Sequence, residues 1–148
     1  MLRYNEVLRK VRDSDHYSTP ESFYKKIDNE FHFTFDPCPL KCTEFDGLQI
    51  PWRGIIFCNP PYSHVGDWLK KAIEEIKAGN CRKAVFLIPL RTDSWYWHHE
   101  ILNNAAEVRI IQGRLKFGNK KDVAPFPVAL VIFDTLLKGN PKLMSYLK

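Results

Sequence analysis

The chain has 148 residues, 45% of them hydrophobic and 26% charged, which fits one domain with a real core and excludes a disordered protein. No apolar run approaches the roughly 20 residues that span a bilayer, and Met1-Leu2-Arg3-Tyr4-Asn5-Glu6 lacks the apolar core of a signal peptide, so a cytoplasmic location is expected. The net charge of +5 suits a polyanionic partner, and the 14% aromatic content supplies flat side chains that stack on bases as well as fill a core.

Tyr4, Val7, Leu8 and Val11 share one helical face flanked by Arg3, Arg9, Lys10 and Arg12. They read as a helical extension over residues 1–14 of a single domain covering 1–148. It either docks on the domain or touches a phosphate backbone, and a solvated basic face is the plainer reading. Ser18-Thr19-Pro20-Glu21 then reads as a helix start: a hydroxyl cap, a proline in the first turn and an acid at the positive end of the dipole. Phe31-His32-Phe33-Thr34-Phe35-Asp36 alternates and stops at Pro37, which predicts the first strand with Asp36 at its carboxyl end. Cys38 and Cys42 are close, but no second pair completes a zinc site. Even with His32 nearby, free thiols are the reading and no metal is expected.

Ile55-Ile56-Phe57-Cys58 is a buried strand bounded by Gly54 and Asn59-Pro60-Pro61. Val65, Trp68, Leu69, Ala72, Ile73 and Ile76 keep three-four spacing and predict a helix that Gly79 ends. Ala84 to Ile88 is a second buried strand, and a helix is expected from about Ser94 to Asn104. Val108 to Ile111 and Val128 to Phe133 complete the expected strands. Strand and helix alternate, so the class is α/β with a mostly parallel sheet, in which ligands gather at the carboxyl ends of strands. Asp36 and Asn59 both sit at such ends.

The chemistry concentrates in Asn59-Pro60-Pro61-Tyr62. The exocyclic amino group of adenine is a poor nucleophile because its lone pair is delocalised into the ring. Two acceptors aimed at its hydrogens, the Asn59 side-chain oxygen and the Pro60 carbonyl, would concentrate that lone pair, and paired prolines hold the carbonyl in one direction. Tyr62 offers a ring face for a flipped base. The same tetrapeptide also serves methylation of glutamine side chains and guanine amino groups, so it specifies a planar amino nitrogen better than it specifies adenine.

Further landmarks surround this loop: Tyr17-Ser18-Thr19-Pro20, Phe35-Asp36-Pro37-Cys38, Lys41-Cys42, Asp46-Gly47-Leu48 and Trp52 before it. After Ser63 come Leu87-Ile88-Pro89-Leu90-Arg91-Thr92-Asp93, Gly113-Arg114-Leu115-Lys116-Phe117 and Ala124-Pro125-Phe126-Pro127. In their joint order the chain resembles the phage-type, Dam-like DNA N6-adenine methyltransferases from about Asp15 to Phe133. The resemblance implies a compact Rossmann-like methyltransferase fold, S-adenosylmethionine as donor, adenine in double-stranded DNA as acceptor, and a phage or prophage origin. It places Tyr17, Thr19, Pro20, Asp36, Cys38 and Asp46 around the donor, with Asp36 beside the amino group or sulfonium and Asp46 beside the adenosine amino group. An ordinary core role for Tyr17 stays open.

The chain departs from the family in two places. No glycine-rich turn follows the first strand, and Pro37 to Gly54 is too short for the two strand-helix units expected before the catalytic strand. Glu44 is the one candidate for the ribose hydroxyls. Without a separate recognition domain, DNA contacts fall to loops: Ser63, Arg91, Arg114, Lys116, Lys120 and Lys121, with the prolines keeping the segment from Arg114 to Phe126 away from the sheet. Arg91 and Trp95 are candidates to line the base pocket, helix packing being the rival for Trp95. Two other readings remain beside DNA adenine methylation: an RNA or protein amide acceptor, and a silent DNA-binding member of the family.

Overall fold

The computed structural model describes residues 17–148, and the helical extension expected over residues 1–14 lies outside them. Helix α1 spans Glu21–Phe31, but no hydroxyl caps it. Pro20 holds the N-cap position with φ −59°, where a residue without an N–H leaves nothing unpaired. Phe23, Ile27 and Phe31 form the buried stripe of α1. The helix ends at His32, which turns left-handed at φ 55° and donates its N–H to the Asp28 carbonyl.

That turn consumes half of the first expected strand. What remains is a single parallel bridge between Phe35 and Ile56, with Thr34 N–H on the Ile55 carbonyl at 2.8 Å and Phe57 N–H on the Phe35 carbonyl at 3.1 Å. Pro37 then ends the pairing. From residue 37 to residue 53 the chain makes turns only, in keeping with the shortening expected there.

The regular core follows. Strand β1 (Gly54–Cys58), helix α2 (Val65–Lys77) and strand β2 (Cys81–Pro89) form a parallel β-α-β unit. Helix α3 covers residues 95–104, and its middle turn, Trp97–Ile101, is wound as a π-helix. Strands β3 (Glu107–Ile111), β4 (Val128–Asp134) and β5 (Lys142–Tyr146) complete the sheet in the order β1-β2-β4-β3-β5.

The sheet is mixed, which corrects the expectation of a mostly parallel one. β4 runs antiparallel to both β2 and β3, while β1–β2 and β3–β5 are parallel. Residues 112–127 contain no helix to carry the chain back across the sheet, so β4 returns beside β3 in the opposite direction. β5 was not among the expected strands. It is an edge strand with no buried residue, so no apolar run announces it.

Alternation along the strands feeds two cores. Ile56, Cys58 and Phe86 face α2 and α3, while Phe57, Val85 and Leu87 face α1. Leu115, Phe117 and Ala124 are buried in the second core, so the 112–127 segment is packed onto the sheet and not kept away from it as its prolines suggested. On this side Arg109, 8% exposed, forms a two-pronged pair with Glu30 at 2.7 Å and reaches Glu107 at 2.9 Å. The guanidinium holds the Glu30 carboxyl below the usual range. Arg109→Met leaves no buried charge behind but removes a bidentate bond joining α1 to β3. Thermal unfolding should show a loss of about 1–3 kcal/mol.

Candidate active site

Asn59-Pro60-Pro61 leaves the carboxyl end of β1, and a single turn of 3-10 helix, Tyr62–His64, joins it to α2. The Asn59 amide is fixed on one side. Its Nδ2 donates to the Tyr17 carbonyl at 2.5 Å and to Thr19 Oγ1 at 3.0 Å. A carbonyl only accepts, so the Tyr17 contact decides which end of the amide is nitrogen. A hydroxyl of Ser18-Thr19 was expected to cap α1, but that of Thr19 is used here instead. The other end of the amide, Oδ1, is buried without a partner among the described residues, and so is the Tyr62 hydroxyl. Buried polar atoms are almost always paired, so two orphans on one loop mark a place built for something polar to enter.

A cavity of about 360 Å³ opens beside this loop. Tyr17, Thr19, Asp36, Cys38, Asp46 and Asn59 all line it, so six residues scattered over the sequence meet in one place. Pro61 also reaches it, whereas Pro20, Pro60, Glu44 and Ser63 do not. Several lining residues carried no site signal in the sequence. Tyr24 and Phe57 read as core, Trp68 as the buried stripe of α2, and Leu40 and Leu48 as loop residues. His64 and Asp67 had the one usable clue, their position directly after the tetrapeptide.

Asp36 is the electrostatic centre of the cavity. Burial pushes its carboxyl up to about 6, against a single backbone bond from Cys38 N–H at 2.8 Å that pulls the other way. Burial likewise raises the Cys38 thiol, which keeps it protonated and unreactive. Asp46 Oδ1 accepts from Leu48 N–H at 2.9 Å, an Asx turn.

These bonds explain how the loop closes without a glycine-rich turn. The Asp36 and Asp46 side chains brace its two ends, Lys41 takes a left-handed φ of 58°, and Gly47 lets the ends meet. A Cβ on Gly47 would fall 1.9 Å from the Pro37 carbonyl oxygen and 2.9 Å from the Trp68 ring. Gly47→Ala must therefore push the cavity wall outward. Calorimetry should show a loss of about 1–3 kcal/mol, or roughly 3–10 °C in Tm.

The basic residues are distributed differently. Lys121 lines a second, shallower depression with Tyr17, Phe117 and Lys120, and Lys120 Nζ lies 4.7 Å above the Tyr17 ring. Arg91, Arg114 and Lys116 are exposed on loops and enter neither depression. Trp95 also lines neither. It is 54% exposed, stacked on His99 with centroids 4.4 Å apart, and Lys70 Nζ lies 4.9 Å over its ring. Among the described residues no helix is long and apolar enough to cross a membrane.

No curated protein matches the chain at a significant level. The family model of DNA N-6-adenine-methyltransferase (Dam) matches residues 7–147, nearly the full length. The chain therefore belongs to the Dam family of DNA N-6-adenine-methyltransferases.

Proposed function

We propose that the protein transfers a methyl group from S-adenosylmethionine to N6 of an adenine flipped out of double-stranded DNA. The observation that carries this reading is the Asn59 amide, anchored through Nδ2 and presenting a buried Oδ1 that has no partner among the described residues. An oriented, desolvated acceptor is what an amino group needs to recover its lone pair. Pro61 spends its carbonyl on His64 N–H at 3.0 Å, so Pro60 is the proline assigned as second acceptor. Tyr62 supplies the ring on which the base stacks.

The donor, when bound, brings a methyl group activated on a sulfonium. The residues present suit it. A cavity of about 360 Å³ fits a nucleoside carrying an amino-acid chain. Tyr24, Phe57, Leu48 and Trp68 give apolar walls for its rings, and the desolvated Asp36 carboxylate pairs with its amino group or sulfonium. Asp46 is assigned to the adenosine amino group through Oδ2, since Oδ1 is occupied by Leu48 N–H. Tyr17, Thr19 and Cys38 complete the wall. Pro20 acts one step back, as the start of the helix behind Thr19.

Arg91, Arg114, Lys116, Lys120, Lys121 and Ser63 are assigned to the DNA backbone, where each neutralised phosphate adds salt-sensitive affinity. Parallel β1 and β2, with β1 leading into the site and antiparallel β4 next to β2, support a Rossmann-like methyltransferase architecture shortened ahead of β1. A cytoplasmic setting in a bacterial host, with a phage or prophage source, fits this activity.

The test is transfer of labelled methyl from S-adenosylmethionine to unmethylated DNA, RNA and protein in parallel. Label recovered from DNA as N6-methyladenine supports the reading. Label on RNA or protein alone, or donor-free DNA binding without transfer, overturns it.

A further inference from the structure

The ring on which the proposed reaction seats its base is already covered. Tyr17 stacks on Tyr62 with centroids 5.0 Å apart and planes 17° from parallel. Phe117 and Phe126 meet the Tyr17 ring edge-on at 4.9 and 5.5 Å, and meet the Tyr62 ring edge-on at 6.2 and 5.6 Å. Lys120 Nζ sits over the Tyr17 ring as well. Tyr17 is thus held as a nucleobase would be, with a face on one aromatic, its edges on two more, and a cation above.

Simple core packing does not account for the surroundings. Tyr17 is only half-buried, and it lines both the large cavity and the basic depression. Beside it the Tyr62 hydroxyl is buried with no partner among the described residues, and Asn59 Oδ1 on the same loop has none among them either. A slot made only to pack phenol rings would not strand two polar atoms.

We propose that Tyr62, Phe117 and Phe126 form the target-base site, and that the Tyr17 ring is its resident surrogate, displaced when adenine enters. This rests on the proposed function and extends it: Phe117 and Phe126 become walls of the base site and Tyr17 its occupant. The Tyr17 backbone need not move. Its carbonyl holds Asn59 Nδ2, so rotation about χ1 vacates the slot while the catalytic amide stays oriented. The surrogate keeps three aromatic surfaces out of water between encounters. It also sets a threshold, because only a guest that outcompetes a stacked ring gains the site.

The test uses 9-ethyladenine as probe, titrated into wild type and into Tyr17→Ala, and located by the NMR shifts of the Tyr62, Phe117 and Phe126 ring protons. Emptying the slot should tighten binding there by at least about tenfold, since the guest no longer competes with the side chain. Tyr17→Phe, which keeps the stacked ring, should bind like wild type, and adding Tyr62→Ala to Tyr17→Ala should abolish the gain. Tyr17→Val, measured in the same way, serves if the alanine variant folds poorly. A folded variant with no gain over wild type, or shifts confined to the large cavity, overturns the proposal. Binding is read without turnover, so a failure of methyl transfer to DNA would count against the proposed function and not against the base site.

Discussion

Asn59→Ala should lower methyl transfer to DNA by about 100- to 1,000-fold, the usual cost of removing one preorganised group that stabilises developing charge. The loss should fall on kcat, because the acceptor acts on the amino group as it becomes tetrahedral and adds little to ground-state binding. Asn59 also ties the Tyr17 carbonyl and Thr19 to the loop, so the variant should lose about 1–2 kcal/mol of stability too. Asn59→Asp separates the two roles. It keeps acceptor oxygens but sets a carboxylate against the Tyr17 carbonyl, which accepts as well. Only its protonated form can donate to that carbonyl, so its rate relative to wild type should rise as pH falls. Single-turnover measurements from pH 5 to 8 check this, and a flat ratio would remove Asn59 orientation from the mechanism.

Asp36→Asn should make the protein more stable and less able to hold its donor. The folded-state carboxyl titrates at about 6, above the ordinary 3.8, so folding binds protons in that window. Ionised Asp36 therefore costs stability in full above pH 6, and the cost vanishes as pH falls towards 4. Asparagine can keep the bond from Cys38 N–H while carrying no charge. The variant should gain about 2–3 kcal/mol at pH 8 and almost nothing at pH 4. Affinity for S-adenosylmethionine should move the other way, falling about 10- to 100-fold at pH 8 through loss of a charge-assisted contact. In the wild type, affinity should drop as pH falls below about 6, by up to roughly tenfold per unit, and this slope should be absent from the variant. Denaturant titration and calorimetry at pH 4, 6 and 8 measure both quantities. Stability that is unchanged together with unchanged affinity would place the donor's cationic end elsewhere.

Asn59 and Asp36 were singled out in the sequence because each follows an apolar run, and both line the large cavity. The same logic found β1, α2 and β2, whose burial leaves continuous or three-four apolar patterns. Strand direction was not legible, since Val128 to Phe133 reads the same whichever way it runs, and only the helix-free 112–127 segment decides it. β5 escaped notice because Lys142, Leu143 and Ser145 face solvent. The hydroxyl cap expected at the start of α1 misled for a different reason: Thr19 is used elsewhere. Its hydroxyl suits a helix cap and an amide equally well, and only a fold that brings residues 19 and 59 together chooses between them. The stack of Tyr17 on Tyr62 is of the same kind, a contact across 45 positions with no periodic trace.

Tyr62 packs against both cores, the α2–α3 side and the α1 side of the sheet. Redesign of the protein is constrained accordingly. A substitution that tightens either hydrophobic layer shifts one wall of Tyr62, so neither layer is a neutral place to improve heat tolerance. On edge strand β5 only Tyr146 packs on a layer, and Leu143, 68% exposed, is a position where stabilising changes can be tried away from both.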